Sequence, residues 1–97
     1  MNYKSKQWKT LRGKILKRDK YICQYYKRFG KRVPATMVHH IYPADTYPEY
    51  AFKPWNLISL SNDAHELMHD RNTHELTAIG RSLQRRTRPL QKPKHKL

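Results

Sequence analysis

The chain has 97 residues and a mass of 11.8 kDa, which is enough for one small domain and excludes a second folded unit. The mean hydropathy is −1.03, and no apolar run approaches the roughly 20 residues of a membrane span, which argues against a membrane protein. A single cysteine excludes a disulfide framework, so we expect a soluble, cytoplasmic protein. Its formal net charge of +14 is typical of proteins that bind a polyanion; nucleic acid is the leading candidate and an anionic membrane surface the weaker one.

The first predicted element is a basic helix over about residues 5–18. Trp8, Leu11 and Ile15 recur at helical spacing, and Lys and Arg occupy most of the other positions. Ser5 is a suitable N-cap. This helix would present a strongly basic surface.

Two short strands are predicted in the centre of the chain. Residues 35–42 are rich in β-formers and end before Pro43, and residues 57–60 form a second apolar run. Between them, residues 43–56 contain three prolines and four aromatic residues, which predicts an irregular loop that packs on itself.

Two helices are predicted after the strands. The first covers about residues 62–71, and the second covers about residues 74–86 with Thr73 as its N-cap. Gly80 would be a weak position in the second helix, costing about 1 kcal/mol relative to alanine. Residues 89–97 form a basic, proline-containing tail with nothing to bury, which we expect to be disordered.

Charge is distributed unevenly along the chain. Residues 1–32 carry twelve basic side chains and one acidic, and residues 81–97 carry seven basic and none acidic. Residues 33–80 carry two basic and six acidic side chains and five of the six histidines. This pattern indicates basic flanks that hold a phosphate backbone around a central cation site. A ribosomal-type binding module with a solvated centre is the alternative that charge leaves open.

Four histidines are candidate metal ligands. His65 and His69 are four residues apart on a predicted helix, so both rings would lie on one face and could bind one ion. His39 and His40 are neighbours in a predicted strand and would point to opposite faces. One of them could complete a three-histidine metal site while the other acts as a base near neutral pH. Ordinary polar surface histidines remain the alternative.

Taken together, these residues resemble the HNH endonuclease signature. The resemblance consists of His39-His40-Ile41, then Asn56, His65 and His69, in the order and spacing of that family, and the flanking chain is similar to small HNH proteins of phages. It implies a small α+β protein with a ββα-metal core of two short antiparallel strands and a helix. That core would span about residues 35–72 of a single domain of residues 1–88, with basic helices on either side.

The same resemblance implies a role for each site residue. His39, His65 and His69 would hold one divalent ion, His40 would be the general base, and Asn56 would brace the loop that positions His40. Imidazole ligands favour zinc or nickel, and the family is often active with magnesium or manganese. The implied activity is hydrolysis of DNA phosphodiesters to 5′-phosphate and 3′-hydroxyl ends. A non-catalytic nucleic-acid-binding protein with a structural metal is the alternative.

One departure from the family concerns a structural zinc. Many relatives hold it on two Cys-x-x-Cys pairs, whereas Cys23, Tyr26, Ser61 and Ala64 occupy those places here. A four-cysteine zinc is therefore not expected, and aromatic and apolar side chains such as Leu67 would have to form the core instead.

DNA is the expected partner, with no membrane involved. The phage-type resemblance suggests a packaging terminase as a further partner and the cytoplasm of a bacterial host as the location. We expect the residues that contact DNA phosphates to include Lys14, Lys17, Arg18, Arg71, Arg81, Arg85 and Arg86.

Overall fold

The fold is a two-stranded antiparallel sheet with helices packed on both faces. It was obtained as a computed structural model that describes residues 1–87; the predicted tail at residues 89–97 lies outside the described residues. In chain order the elements are α1 (Lys6–Arg18), α2 (Gln24–Lys27), β1 (Met37–His40), two 3₁₀ turns (Pro48–Tyr50 and Pro54–Asn56), β2 (Leu57–Leu60), α3 (Asn62–Glu66) and α4 (Ala78–Arg86). The predicted α+β class with two short antiparallel strands is confirmed. No helix in the described part of the chain is long and apolar enough to cross a membrane.

The first helix begins and ends close to the predicted positions. The Ser5 hydroxyl accepts a hydrogen bond from the Trp8 amide at 3.1 Å, as expected of an N-cap. Trp8 and Ile15 are buried and pack with Leu57 of β2, so the apolar stripe of α1 lies on one face of the sheet.

The pairing of the strands fixes which side chains share a face. His39 pairs with Ile58, and His40 pairs with Leu57. One face therefore carries His40 with Leu57 against α1, and the opposite face carries His39 with Ile58. The main core, on that opposite face, is formed by Cys23, Ile41, Leu60, Ala64, Met68 and Leu83.

The helix predicted over 62–71 is shorter than expected, ending at Glu66. The Thr77 hydroxyl lies within hydrogen-bonding distance of the carbonyl oxygens of Leu67 and Met68, and the Thr77 amide donates to the Met68 carbonyl. These carbonyls are thus engaged outside a helix. His69 follows in an isolated bridge with Leu76 rather than on the helix.

The last helix also starts later than predicted. Residues 73–77 form a turn and the bridge to His69, and α4 begins at Ala78 with Thr77, not Thr73, as the N-cap. The Thr77 hydroxyl accepts from the Gly80 amide at 3.1 Å. Thr77 therefore joins the end of one helical segment to the start of the next.

Two smaller expectations are also wrong. Gly80 is not a weak position, because a Cβ there would lie 2.6 Å from the Met68 carbonyl oxygen and would also overlap the Leu76 side chain. Only glycine allows α4 to approach residue 68 this closely. Leu67 is 37% exposed, and its neighbour Met68 takes the buried position.

Candidate metal centre and active site

The strand β1 places its two histidines in different surroundings. The ring centroid of His39 lies 5.2 Å from that of His65 and 5.8 Å from that of His69. The ring of His40 lies on the other face, stacked on the Trp8 indole with centroids 5.1 Å apart and planes 19° apart. The separation expected from strand geometry is therefore observed, with three imidazoles together and one apart.

The three converging rings have the separations of metal-bound imidazoles. His65 and His69 are 6.3 Å apart between centroids even though His69 is not on the helix. Two imidazoles that bind one ion at about 2.0–2.1 Å place their centroids roughly 4.5 to 6.5 Å apart. All three ring separations fall in this range.

His39 has the burial and the protonation state of a ligand awaiting a cation. Its side chain is 4% exposed, and its Nε2 is a buried atom with no hydrogen-bond partner among residues 1–87. Burial and the neighbouring imidazoles of His65 and His69 lower the pKa of His39 to about 3. The His39 ring is therefore neutral at pH 7. A metal ion would give Nε2 the partner that it lacks among residues 1–87.

The other two rings are also suited to binding a cation. Burial lowers the pKa of His65, and the charge of His69 lowers it further. The Nδ1 of His69 lies 3.3 Å from the carbonyl oxygen of His74, which can only accept, so Nδ1 carries the proton and Nε2 keeps its lone pair. His74 adopts a φ of 66°, in the left-handed region.

The three imidazole rings lie near one another but do not form a complete metal site. Among residues 1–87, no group of three or more His, Cys, Asp or Glu side chains is arranged to hold a metal ion as it stands. The half-buried rings of His65 and His69 would have to rotate toward His39 for a shared ion. The donor set and the unpartnered Nε2 fit a divalent metal, and His39 provides the fixed point.

His40 is held in one tautomer by the loop. Its Nε2 lies 3.0 Å from the Ala51 carbonyl oxygen, so Nε2–H is the donor and Nδ1 carries the lone pair. Burial lowers the pKa of His40, and the hydrogen bond to Ala51 partly opposes that shift. The ring is a neutral, oriented base.

Asn56 joins the two ends of the loop between the strands. It is fully buried; its Oδ1 accepts from the Tyr42 amide at 2.7 Å, and its Nδ2 donates to the carbonyls of Tyr42 and Tyr50 at 3.0 and 3.2 Å. Its own carbonyl accepts from the Ile41 amide. Asn56 therefore helps to fix the loop backbone that presents Ala51 to His40, together with the hydrogen bonds within the loop.

A cleft of about 430 Å³ extends from the three neighbouring imidazoles to His40. His39, His40, His65 and His69 all line it. The sequence analysis did not find Arg12, which lines the same cleft and donates to the Thr36 carbonyl at 3.1 Å. Its spacing of four residues from Trp8 places both on one side of α1, and that spacing was the available signal.

Comparison with known proteins was informative for one solved structure. The chain matches no protein-family model and no curated protein. It is similar to the crystal structure of the HNH endonuclease of the deep-sea thermophilic bacteriophage GVE2 with manganese ion. The TM-score is 0.65 and the identity 31%, over 66% of this chain and 70% of that chain. The chain belongs to the HNH endonuclease family.

In this member of the HNH endonuclease family, the four positions considered for a structural zinc are occupied by Cys23, Tyr26, Ser61 and Ala64. Cys23 is buried, its Sγ lies 3.5 Å from the Ser61 hydroxyl, and Ala64 packs in the same core. Tyr26 donates to the Asp63 carboxylate at 2.8 Å. The four positions therefore lie together in the fold, joined by hydrogen bonds and apolar contacts.

The basic residues expected to contact DNA differ in their surroundings in this HNH endonuclease. Most are exposed: Lys14, Lys17, Arg71, Arg81, Arg85 and Arg86. Arg81 donates to the Leu76 carbonyl, and Arg86 donates to the Ser82 hydroxyl. Arg18 is different, because its guanidinium pairs with Asp19 and donates to two backbone carbonyls. These bonds give Arg18 a structural role, and its contact with DNA remains a prediction.

Proposed function

We propose that the chain is a metal-dependent DNA endonuclease that hydrolyses phosphodiester bonds to 5′-phosphate and 3′-hydroxyl ends. The observation that carries this proposal is that β1 places its two histidines in different surroundings. His39 joins His65 and His69 with an unpartnered Nε2, while His40 stands apart with a free Nδ1 in the same cleft. A purely structural metal would leave His40 without a function in that position.

The residues of the chain would divide the reaction as follows. His40 Nδ1 accepts a proton from a water molecule whose oxygen attacks phosphorus, and the bond from phosphorus to the 3′ oxygen breaks. The leaving oxygen gains a proton from solvent. The positive charge formed on His40 is stabilised by the Ala51 carbonyl and by the stacked Trp8 ring. Asn56 keeps the loop in place during these steps.

Two further groups would stabilise the negative charge on the phosphoryl oxygens. Arg12 lines the cleft, and its guanidinium can donate to a non-bridging oxygen. When bound by His39, His65 and His69, a divalent ion supplies positive charge to the phosphoryl group and the leaving oxygen. Zinc, nickel, manganese and magnesium remain the candidate ions, and the GVE2 structure with manganese supports a divalent one.

The biological setting is proposed by analogy. The similarity to a bacteriophage enzyme supports a role in phage DNA metabolism inside a bacterial host. A packaging terminase remains the predicted partner. The exposed basic residues Lys14, Lys17, Arg71, Arg81, Arg85 and Arg86 are proposed to hold the DNA backbone.

A plasmid-cleavage experiment tests the proposed activity. The protein should cut plasmid DNA in added Mn²⁺, Mg²⁺, Zn²⁺ or Ni²⁺ and stop in EDTA. The His40→Ala variant should lose about 10² to 10⁴-fold in rate with unchanged DNA affinity, because the general base is removed while the basic surface is kept. His74→Asn is the matched control, since it changes a histidine outside the cleft. Cleavage by His40→Ala at the parental rate would show that the assigned role is wrong.

Metal binding can be measured without cleavage. Mn²⁺ should raise the thermal unfolding temperature of the parental protein, because the ion binds the folded state. His39→Ala and His65→Ala should each abolish that increase, whereas His40→Ala should keep it. If His40→Ala also loses the response, all four histidines are ligands, and the alternative of a structural metal in a non-catalytic binding protein holds instead.

A further inference from the structure

Two exposed aromatic side chains contact Trp8, the residue that stacks on His40. Tyr3 is 54% exposed and Phe52 is 37% exposed. Both contact the buried Trp8 ring at an angle, with centroid distances of 5.5 Å and 6.4 Å. Trp8 in turn stacks on His40. Trp8 therefore packs against both exposed rings and against the ring of His40, the proposed base.

One of the two rings lines the candidate active site, and the other follows the loop residue that orients His40. Tyr3 lines the histidine cleft, and its ring centroid is 6.1 Å from that of His40. Phe52 directly follows Ala51, whose carbonyl orients His40. Phe52 also lines a neighbouring groove with Lys6 and Lys14 of α1. A strand lying in the cleft can therefore contact Tyr3 beside His40, and Phe52 can be reached from the neighbouring groove.

The charge around these rings identifies the kind of ligand. Lys6 and Lys14 are exposed beside Phe52. Arg12 lines the cleft beside Tyr3, as does the carboxylate of Asp45, so cations are in excess around the two rings together. Aromatic rings interleaved with cations are the combination by which proteins bind single-stranded nucleic acid, since the rings stack on bases and the cations neutralise phosphates. In a paired duplex the base faces are covered by neighbouring bases, so stacking on these rings requires unpaired bases.

We propose that Tyr3 and Phe52 form a stacking site for unpaired nucleobases next to the scissile phosphodiester. The preferred substrate is therefore DNA with unpaired bases at the cut, such as a single strand, a fork or a gap. This inference rests on the proposed function for the position of the cut, but the stacking itself needs neither metal nor cleavage.

Binding of a fluorescent base tests the stacking directly. A single-stranded oligonucleotide containing 2-aminopurine is titrated with His40→Ala protein in EDTA, so that no cutting occurs. Stacking on the rings should quench 2-aminopurine fluorescence. Tyr3→Ser and Phe52→Ser should each weaken binding roughly 5- to 100-fold and reduce the quenching, whereas Tyr3→Phe and Phe52→Tyr should retain both.

Phe29→Ser is the matched control for loss of an exposed ring. Phe29 is 60% exposed, and it lines a separate cavity that contains none of the histidines. This variant should bind and quench like the parent. Equal binding and quenching by the parent, Tyr3→Ser and Phe52→Ser would overturn the stacking site, and an equal loss in Phe29→Ser would reduce it to a general effect of exposed rings.

Cleavage rates then test the substrate preference. With the metal added, the parent should cut a forked or gapped duplex faster than the same sequence fully paired, and Tyr3→Ser with Phe52→Ser should remove the difference. Equal cutting of paired and unpaired DNA by the parent overturns the preference. Quenching without any cutting would contradict the proposed nuclease activity and leave the stacking site supported, so the two failures are distinguishable.

Discussion

The guanidinium of Arg18 is engaged within the protein through all three of its nitrogens. Its Nε and Nη2 bind the two oxygens of Asp19 at 2.8 and 2.9 Å, and Nη1 and Nη2 donate to the carbonyls of Pro54 and Leu57 at 3.0 and 2.8 Å. Asp19 Oδ2 also accepts from the Ser59 amide. At the scale of a single residue, a basic side chain that is itself exposed thus also connects the end of α1 to β2.

Substitution of Arg18 should therefore affect stability more than DNA binding. Arg18→Ala should lower the free energy of unfolding by about 1 to 2 kcal/mol, because several charge-assisted hydrogen bonds are lost at a partly exposed site. Lys17→Ala, next to it on the exposed surface, should leave stability within about 0.5 kcal/mol and weaken DNA binding at least as much as Arg18→Ala. Urea unfolding and fluorescence anisotropy with labelled DNA measure the two effects. A larger stability loss for Lys17→Ala would contradict the assignment.

The residues of the candidate site differ in how far the sequence could indicate them. The separation of His39 from His40 follows from the two-residue period of a strand, which is a local property. Arg12 and Tyr3 enter the cleft only because α1 packs on the face of the sheet that carries His40. The spacing of Arg12 from Trp8 places Arg12 on the same side of α1, but nothing local to Arg12 or Tyr3 specifies what that side packs against, so the sequence could not single them out among many basic and aromatic residues.

At the scale of the elements, the contact between α4 and residue 68 depends on the absence of a side chain at Gly80. The backbone carbonyl of Met68 occupies the space that a Cβ would need. Thr77 binds that same carbonyl and caps α4. The end of α3 was mispredicted because its partner, Thr77, lies about ten residues further along the chain, and a local pattern of apolar spacing carries no information about it.

A pair of glycine substitutions tests this packing. Gly80→Ala should destabilise the protein by about 1 to 2 kcal/mol, since the cost of overpacking against backbone exceeds the gain in helix propensity. Gly13→Ala should stabilise it by up to about 1 kcal/mol, because Gly13 lies inside α1 with nothing within 4 Å of an added Cβ. Thermal unfolding should show shifts of opposite sign, by about 4 to 8 °C per kcal/mol. Shifts of the same sign would mean that the groups around Gly80 move at little cost in free energy, and would contradict the expected overpacking.

At the scale of the whole molecule, we expect the excess of positive charge to govern the proposed binding to DNA. The exposed lysines and arginines of α1 and α4 have few carboxylates to pair with: among residues 1–87 the one ion pair is between Arg18 and Asp19. Composition alone indicated a polyanion partner, and the family pattern indicated the fold. The lengths of the helices and the set of residues that line the cleft could not be predicted, because they depend on contacts between segments that are distant in sequence.

The dependence of DNA affinity on salt should be steep. If about six phosphates are neutralised, affinity for duplex DNA should fall about 10³-fold between about 50 and about 200 mM salt. Lys17→Ala should reduce the slope of log affinity against log salt by about 1. Anisotropy titrations with the His40→Ala variant over that range measure the slope. An affinity independent of salt would contradict binding through phosphates.

The pairing of β1 with β2 gives the chain little tolerance for insertions or deletions in that strand. With a period of two, a shift of β1 by one position would exchange the surroundings of its two histidines, carrying His40 toward His65 and His69 and His39 toward Trp8. Both residues would still be histidine, yet the ring now beside Trp8 would lack the Ala51 bond that orients a base. Loss or gain of one residue between Met37 and His39 should therefore be more damaging than many substitutions in the same segment.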